Sequence, residues 1–161
     1  MTTTWEPPGA TKRRNILRRA RTIAVVGASA NPARASNFVL TYLLSSSADY
    51  EVWPVTPNET EILGVKCYPS LADLPGPPDI VDVFRRADQL PGVAREAVAA
   101  GAGTLWMQLG LHSDEAVEIA HGAGLNVVSN RCVKIEHARF HGGLHLAGFD
   151  TGVISSRRTR G

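Results

Sequence analysis

The stretch TIAVVGASANPARAS, residues 22–36, decides the fold of this 161-residue chain. It opens with a short run rich in β-branched residues that ends at Gly27, and such a run, bounded by a loop, predicts a strand buried on both faces. A helix is expected next, with Ser36 as its N-cap, because apolar residues recur at helical spacing. Those residues are Phe38, Val39, Tyr42 and Leu43. A buried strand, a glycine turn and a helix are typical of the first unit of a nucleotide-binding α/β domain.

The rest of the chain repeats this alternation. Further strands are predicted at residues 51–55, 79–84, 104–110 and 125–129. Helices are predicted at residues 11–20, 88–100 and 113–122, with one helical turn near residues 70–74. Strands that alternate with helices through short loops indicate a parallel sheet with helices on both faces. With right-handed crossovers, the predicted fold class is α/β, a doubly wound, Rossmann-like parallel sheet in three layers.

The length is that of one domain, so residues 1–161 are interpreted as a single domain with two appendages. Residues 1–10 are polar and contain Pro7 and Pro8, and we expect them to form a loose N-terminal arm. Residues 141–161 form an apolar, glycine-rich C-terminal extension that is expected to pack on the domain or on a second copy, which would make a homodimer. The apolar stripe of this extension consists of Leu144, Leu146, Phe149, Val153 and Ile154.

The composition indicates which cellular compartment and which classes of partner to expect. The net charge of +2 is too small to argue for nucleic acid, and the basic residues near both ends are not interleaved with aromatic stacking residues. No stretch approaches the roughly 18 apolar residues of a membrane span, and the first residues lack a secretory pattern. Two cysteines, Cys67 and Cys132, without a CxxC pair fit a reducing compartment. We therefore expect a cytoplasmic protein without nucleic-acid or membrane partners.

The loop after Gly27 is the first candidate site, because an open α/β sheet binds its ligand beyond the carboxyl ends of its strands. A dinucleotide-binding loop would need glycine at positions 27, 29 and 32, but Ser29 and Pro32 occupy the last two, and proline has no N–H to donate. Side chains together with a helix N-terminus offer another way to bind phosphate. The side chains that suit this role are Ser29, Asn31, Arg34 and Ser36. The alternative is an ordinary loop with a surface arginine.

Two common nucleotides are disfavoured. An NAD site needs an acid at the end of the second strand, where it binds the ribose hydroxyls. That strand ends at Val55, three uncharged residues follow, and Glu59 comes too late. The sequence also lacks a Gly-Lys-Ser/Thr phosphate loop, which disfavours ATP hydrolysis of that type.

Five motifs together resemble a known family. They are IAVVGAS (23–29), VWPVTPN followed by EILGVKCYPSL (52–58 and 61–71), DIVDVFR (79–85), TLWMQLG (104–110) and VVSNRCVKIEHARF (127–140). The set resembles the small stand-alone CoA-binding proteins, which are similar to the CoA-binding Rossmann domain of the succinyl-CoA synthetase alpha subunit and of ADP-forming acyl-CoA synthetases. The resemblance covers about residues 16–140 and implies coenzyme A as the ligand.

The resemblance assigns a part of CoA to each loop. The phosphates would contact Gly27, Ala28, Ser29, Ala30, Asn31, Arg34 and Ser36. The ribose and its 3′-phosphate would contact Thr56, Pro57 and Asn58. The adenine or the pyrophosphate would be flanked by Val83, Phe84 and Arg85. The pantetheine would follow Met107 and Gln108, and the far side would be closed by Asn130 and Cys132.

The chain departs from the family at two places. Many relatives carry a lysine just after the proline of the second strand, where it would pair with phosphate, whereas this chain has Asn58 and Glu59. The expected 3′-phosphate contact is weaker for that reason, unless Arg34 or Arg85 compensates. Residues 131–133 read Arg-Cys-Val rather than the usual Arg-Cys-Pro, which softens that turn.

No catalytic residue and no metal site are expected. The synthetases use a phosphorylated histidine on a further domain and a nucleotide-grasp domain, and this chain is too short for either. Cys132 is weighed as a nucleophile or as a mixed-disulfide partner of the CoA thiol, but an inert cysteine is favoured because no histidine is evidently placed beside it. Metal ligation by His137, His141 and His145 is disfavoured because glycines interrupt a continuous helix there. Asp79 and Asp82 are interpreted as a turn residue and a strand-edge partner rather than an acid–base pair.

The predicted function is therefore non-catalytic binding of CoA or acyl-CoA, as in a sensor or carrier. The alternative is a small NAD(P)-dependent oxidoreductase or epimerase on the same fold. It needs an acid or arginine after the second strand and a positioned acid–base pair, and Arg34 leaves NADP open. A third hypothesis, an interaction module that works through its terminal segments, predicts an empty cleft.

Overall fold

A computed structural model of the chain describes residues 4–45 and 49–141. The main strands are β1 (Thr22–Val26), β2 (Glu51–Val55), β5 (Ile80–Val83), β6 (Thr104–Met107) and β7 (Asn126–Val128). They form a five-stranded parallel sheet in the order β2-β1-β5-β6-β7. A short antiparallel hairpin, β3 (Glu61–Ile62) and β4 (Val65–Lys66), follows β2 along the chain. The predicted α/β fold with a parallel sheet is confirmed.

Within residues 4–45 and 49–141, five α-helices cover the two faces of the sheet. They are α1 (Ala10–Arg19), α2 (Ala35–Ser45), α3 (Leu90–Ala99), α4 (Asp114–Gly122) and α5 (Val133–His141). Successive residues of β1 divide between the two faces, as the period of a strand requires. Ala24 and Val26 belong to the core with α3 and α4, whereas Ile23 and Val25 belong to the core with α1, α2 and α5. The result is the expected three-layer arrangement.

Helix α5 was not predicted from the sequence. Its buried residues include Glu136 and His137, so the apolar periodicity that identifies a helix is weak. Glu136 accepts a hydrogen bond from Nε of Arg13 at 2.6 Å, and the hydroxyl of Tyr42 lies 2.7 Å from Nδ1 of His137. Arg13 is therefore a buried residue that joins α1 to α5.

One expectation about α2 is wrong. The helix begins at Ala35, so Ser36 lies within its first turn and is not the N-cap. Phe38, one of the apolar residues at helical spacing, is 61% exposed, because the buried face of α2 is formed by its neighbours Ser36, Asn37, Val39, Leu40 and Leu43.

The N-terminal segment lies against the domain over its described residues. Nε1 of Trp5 donates to the carbonyl oxygen of Val127 at 3.2 Å, and the indole packs against the core on the α3–α4 side. This contact with β7 was not expected from a loose arm. The C-terminal extension after His141, with its apolar stripe and His145, lies outside the described residues. No helix in the described ranges is long and apolar enough to cross a membrane.

Candidate ligand-binding site

A cleft of about 960 Å³ opens at the carboxyl ends of the parallel strands, which is where an open α/β sheet binds its ligand. The loop after β1 and the start of α2 contribute Gly27, Ala28, Ser29, Arg34, Ala35, Ser36, Phe38 and Val39. The segments after β2 and β5 contribute Thr56, Pro57, Asn58, Glu59, Phe84, Arg85 and Arg86. The segments after β6 and β7 contribute Gln108, Leu109, Leu111, Cys132, Lys134 and Ile135. The cleft therefore spans the full width of the sheet.

The floor of the cleft is backbone at the point where the strand order reverses, between β1 and β5. The amide of Gly27 donates to the carbonyl of Val55 at 3.0 Å, and the amide of Phe84 donates to Val26 at 2.8 Å. Gly27 has a φ of +85°, and a Cβ at this position would collide with the carbonyl oxygen of Phe84. Only glycine fits there without distortion, which keeps the floor free of a side chain.

The first loop is shaped by its own side chains. Oγ of Ser29 accepts from the amide of Asn31 at 3.0 Å, and Oδ1 of Asn31 accepts from the amide of Ala33 at 2.9 Å. Nδ2 of Asn37, on α2, donates to the carbonyl of Ser29 at 2.9 Å. These bonds hold the loop as two consecutive side-chain turns and lead the chain into α2.

Positive charge dominates the cleft. Among the described residues, four cationic side chains and one carboxylate line it: Arg34, Arg85, Arg86, Lys134 and Glu59. The first residues of α2 also line the cleft, and this helix has no acidic residue in its first turn. Because a helix N-terminus carries a partial positive charge, α2 adds to the attraction for an anion.

The opposite wall is built by the ends of β6 and β7. Oε1 of the buried Gln108 accepts from the amide of Val133 at 3.0 Å, and Nε1 of Trp106 donates to the carbonyl of Arg131 at 2.8 Å. These bonds fix the start of α5 against β6. The ammonium of Lys134 then lies 3.9 Å from the centroid of the Phe38 ring, so α5 and α2 meet across the cleft.

Asp82 is the most unusual titratable group near the site. It lies in the middle of β5, is fully buried, and neither carboxylate oxygen has a hydrogen-bond partner among the described residues. Burial raises the pKa of Asp82 well above its ordinary value. Asp79, by contrast, is exposed and accepts from the amides of Arg21 and Thr22. Asp79 thus holds the backbone beside the start of β1, whereas the prediction that Asp82 is a strand-edge partner is wrong, since its carboxylate is buried with no hydrogen-bond partner among the described residues.

A serine, a histidine and an aspartate form a chain of contacts outside the cleft. Nδ1 of His112 lies 2.6 Å from Oγ of Ser129, and Nε2 lies 2.7 Å from Oδ1 of Asp114. The Asp114 side chain is almost fully exposed, and none of the three residues lines the cleft. An exposed carboxylate holds an imidazole only weakly, and the contact between His112 and Asp114 lies at the first residue of α4. No cluster of three or more metal-ligating side chains occurs among the residues that the structure describes.

Comparison with known proteins identifies the domain. Residues 21–138 match the family model described as "CoA binding domain". The chain belongs to this family. The matched segment runs from the residue before β1 into α5 and so contains all the loops that line the cleft.

Two proteins of known sequence and one of known structure illustrate the likeness. The uncharacterized protein YneT of Bacillus subtilis (strain 168) is 43% identical over 131 residues, which cover 81% of this chain and 96% of YneT. The acetate–CoA ligase [ADP-forming] II subunit alpha of Pyrococcus furiosus is 30% identical over 125 residues, covering 71% of this chain but only 27% of the ligase subunit. A hypothetical protein from Pyrococcus horikoshii OT3 superposes with a TM-score of 0.79 at 38% identity, covering 86% of this chain and 99% of that one.

Most of the residues that the family resemblance assigned to CoA line the cleft. Those that do are Gly27, Ala28, Ser29, Arg34, Ser36, Thr56, Pro57, Asn58, Phe84, Arg85, Gln108 and Cys132. Five do not, namely Ala30, Asn31, Val83, Met107 and Asn130. Val83 and Met107 are fully buried in the core on the α3–α4 side, because the last residue of each of these strands turns its side chain away from the cleft. Asn130, with φ +60°, instead accepts from the amide of Gly110 at 2.6 Å and ties the loops after β6 and β7 together.

Three charged residues that line the cleft were not among the predicted site residues. Lys134 was not predicted because it lies on helix α5, and Arg86 was not predicted because the motif at residues 79–85 ends at Arg85. Glu59 was excluded only as the acid of an NAD site, and it lines the cleft directly after Asn58. The signal for Lys134 was available in the sequence, since it follows Cys132 in a segment that comes directly after a strand.

Proposed function

We propose that this chain binds coenzyme A, free or as an acyl thioester, in the cleft at the carboxyl ends of its strands, and that it does so without catalysing a reaction. The observation that carries the proposal is the positive charge of the cleft in a member of the CoA binding domain family. Four cationic side chains and the N-terminus of α2 surround the loops at the carboxyl ends of the strands. CoA carries a pyrophosphate and a 3′-phosphate, so this charge complements the ligand.

The first loop and α5 each supply a cation, and the two cations contact different phosphates of CoA. Arg34 immediately precedes α2, so its guanidinium and the α2 amides serve the pyrophosphate together. Lys134 lines the cleft from α5, opposite α2, and supplies a cation that the second-strand loop lacks at Asn58. On this proposal Lys134 offsets the family lysine that is missing near β2.

The absence of a reaction is the second half of the proposal. Cys132 is the only thiol in the described lining, and no histidine in that lining stands ready to act as its base. The ligase activity named for the Pyrococcus furiosus subunit is not carried over, because this chain matches 27% of that subunit. Binding and release of an unchanged ligand suits a sensor or a carrier. Cys67 and Cys132 are both free thiols, which supports a reducing compartment such as the cytoplasm.

Calorimetry separates this function from the NAD(P) alternative. CoA, NAD and NADP are titrated into the protein under identical conditions. We expect saturable heat with CoA and at least tenfold weaker binding of both dinucleotides. No heat with CoA up to millimolar concentration, or tighter binding of NAD or NADP, would overturn the proposal.

A further inference from the structure

Exposed apolar side chains are concentrated at one part of the cleft. The large hydrophobic residues that remain exposed in the described chain are Phe38, Leu44, Leu63, Leu109 and Ile135. Three of them, Phe38, Leu109 and Ile135, line the cleft, and they come from three different elements. Leu109 and Ile135 are 63% and 48% exposed. Apolar groups that gather from separate elements around one opening indicate that an apolar ligand group covers them.

The lining changes character from one edge of the sheet to the other. The ends of β2, β1 and β5 contribute four of the five charged residues, Glu59, Arg34, Arg85 and Arg86, beside apolar groups such as Phe38 and Phe84. The ends of β6 and β7 contribute one charged residue, Lys134, beside Gln108 and the less polar side chains of Leu109, Leu111, Cys132 and Ile135. With strands about 4.8 Å apart, the whole edge is about 19 Å wide. A ligand that is anionic at one end and apolar at the other matches this gradient.

Two polar side chains, Gln108 and Lys134, also line this end of the cleft. Oε1 of Gln108 accepts from the amide of Val133, and the Lys134 ammonium lies over the ring of Phe38 on α2. Lys134 therefore extends toward α2, where it is available to a phosphate, and Leu109 and Ile135 form the apolar surface of this wall. Leu109 and Ile135 expose apolar surface at this end of the cleft, and a ligand that buries this surface gains affinity.

We propose that the preferred ligand is an acyl thioester of CoA whose apolar acyl chain lies over Leu109 and Ile135. This inference rests on the proposed function, since it takes the nucleotide to occupy the charged end. The pantetheine arm joins the nucleotide to the thiol and is expected to follow the end of β6 past Gln108, so an acyl group on the sulfur extends beyond it over Leu109 and Ile135. Continuity with the charged cleft favours an acyl chain over a second protein molecule as the occupant, because one ligand then satisfies both halves of the lining.

A chain-length series tests the inference. Dissociation constants are measured for CoA and for its acetyl, butyryl, hexanoyl and octanoyl thioesters. Full burial of one methylene strengthens binding about three- to fourfold. Because the rim covers the chain on one side only, we expect at least a tenfold gain from acetyl-CoA to octanoyl-CoA. Free octanoate serves as the control for non-specific apolar binding and should not bind detectably.

Matched variants locate the acyl chain. The double variant Leu109→Ser and Ile135→Ser should reduce the gain from acetyl- to octanoyl-CoA to less than threefold. Leu63→Ser removes a leucine that is 53% exposed and does not line the cleft, so it should keep the full gain. The gain is the ratio of the dissociation constants of acetyl-CoA and octanoyl-CoA for the same variant. A substitution that changes the affinity for the CoA moiety alone changes both constants equally and leaves this ratio unchanged.

The outcomes distinguish the two proposals. If CoA binds but affinity does not rise with chain length, or if the double variant keeps the full gain, the acyl inference is wrong and the proposed function stands. If neither CoA nor any thioester binds, the proposed function itself fails. If affinity ignores chain length while the double variant dissociates a dimer seen by sedimentation, the rim is a contact between two copies and the acyl inference is overturned.

Discussion

The α-carbon of Gly27 faces the carbonyl oxygen of Phe84 so closely that no Cβ fits between them. The contact joins the ends of β1 and β5, where the strand order reverses and the cleft begins. Gly27→Ala should therefore destabilise the protein through two effects. A left-handed φ costs a non-glycine residue about 1–2 kcal/mol, and displacement of the Phe84 carbonyl adds about 1–3 kcal/mol.

Gly124→Ala is the control for Gly27→Ala, because Gly124 also has a positive φ, +92°, but nothing lies within 4 Å of its added Cβ. Only the conformational part of the loss, about 1–2 kcal/mol, is expected there. Urea denaturation of both variants gives the comparison. Equal losses for the two glycines would contradict the close approach of β1 and β5.

Arg34→Ala should weaken CoA binding about tenfold at low salt. The guanidinium lies directly before α2 and lines the cleft, and a hydrogen bond to a charged group is worth about 1.5–3 kcal/mol. The lower end applies because Arg34 is exposed, and the effect should shrink as salt screens it. Arg95→Ala is the control, since Arg95 pairs with Glu115 at 3.0 Å and does not line the cleft. Unchanged CoA affinity in Arg34→Ala, measured by calorimetry, would remove the first loop from the phosphate site.

Glu59→Gln should strengthen CoA binding about threefold at low salt, because it removes a carboxylate that lines an anion-binding cleft. Glu61→Gln is the matched control, because Glu61 is an exposed carboxylate on β3 that does not line the cleft. Dephospho-CoA, which lacks the 3′-phosphate, separates the causes. A gain for CoA that disappears with dephospho-CoA places the 3′-phosphate beside Glu59, whereas a loss of affinity for both would mean that Glu59 contacts the ligand favourably.

Asp82 should make the protein less stable as pH rises. Its pKa in the folded protein is raised above the ordinary value of 3.8, so the folded state holds a proton that the unfolded state has released. Stability is then greatest below about pH 4 for this group and falls by up to about 1.4 kcal/mol per pH unit until the folded-state pKa is reached. Asp82→Asn cannot ionise and should lack this component of the pH dependence.

The Asp82 comparison is made by urea denaturation at pH 5 and pH 8. The free energy of unfolding of Asp82→Asn relative to the natural protein should rise from pH 5 to pH 8. Asp88→Asn, at an exposed carboxylate paired with Arg86, should show no such rise. A constant difference for Asp82→Asn across the two pH values would mean that Asp82 ionises normally in the fold.

The strands were predictable because each is a short apolar run whose burial is nearly complete, as in β5 and β6. Helix α5 was not, because its stability rests on partners far away in sequence. Glu136 is buried against Arg13, 123 residues away, and His137 lies beside Tyr42, 95 residues away. A local pattern cannot report that a buried charge will meet its counterion. Lys134 was not predicted as a site residue because it lies on this helix.

The site was predicted at the level of loops rather than side chains. Gly27 and Arg34 line the cleft as expected, because a loop that follows a parallel strand must open at its carboxyl edge. Val83 and Met107 do not line the cleft. The last residue of a strand can point to either face of the sheet, and the register of the whole sheet decides which face it is.

The location of CoA on the protein is the central claim, and a titration of the ¹⁵N-labelled chain followed by amide chemical shifts tests it most directly. We predict that CoA shifts the amides of residues that line the cleft, namely residues 27–29, 34–36, 56, 58–59, 84–86, 108–109, 111, 132 and 134–135. The amides of Thr22, Asp79 and Thr104, at or next to the amino ends of β1, β5 and β6, should stay unmoved. Shifts confined to the amino ends of the strands, or no shifts at saturating CoA, would contradict the account.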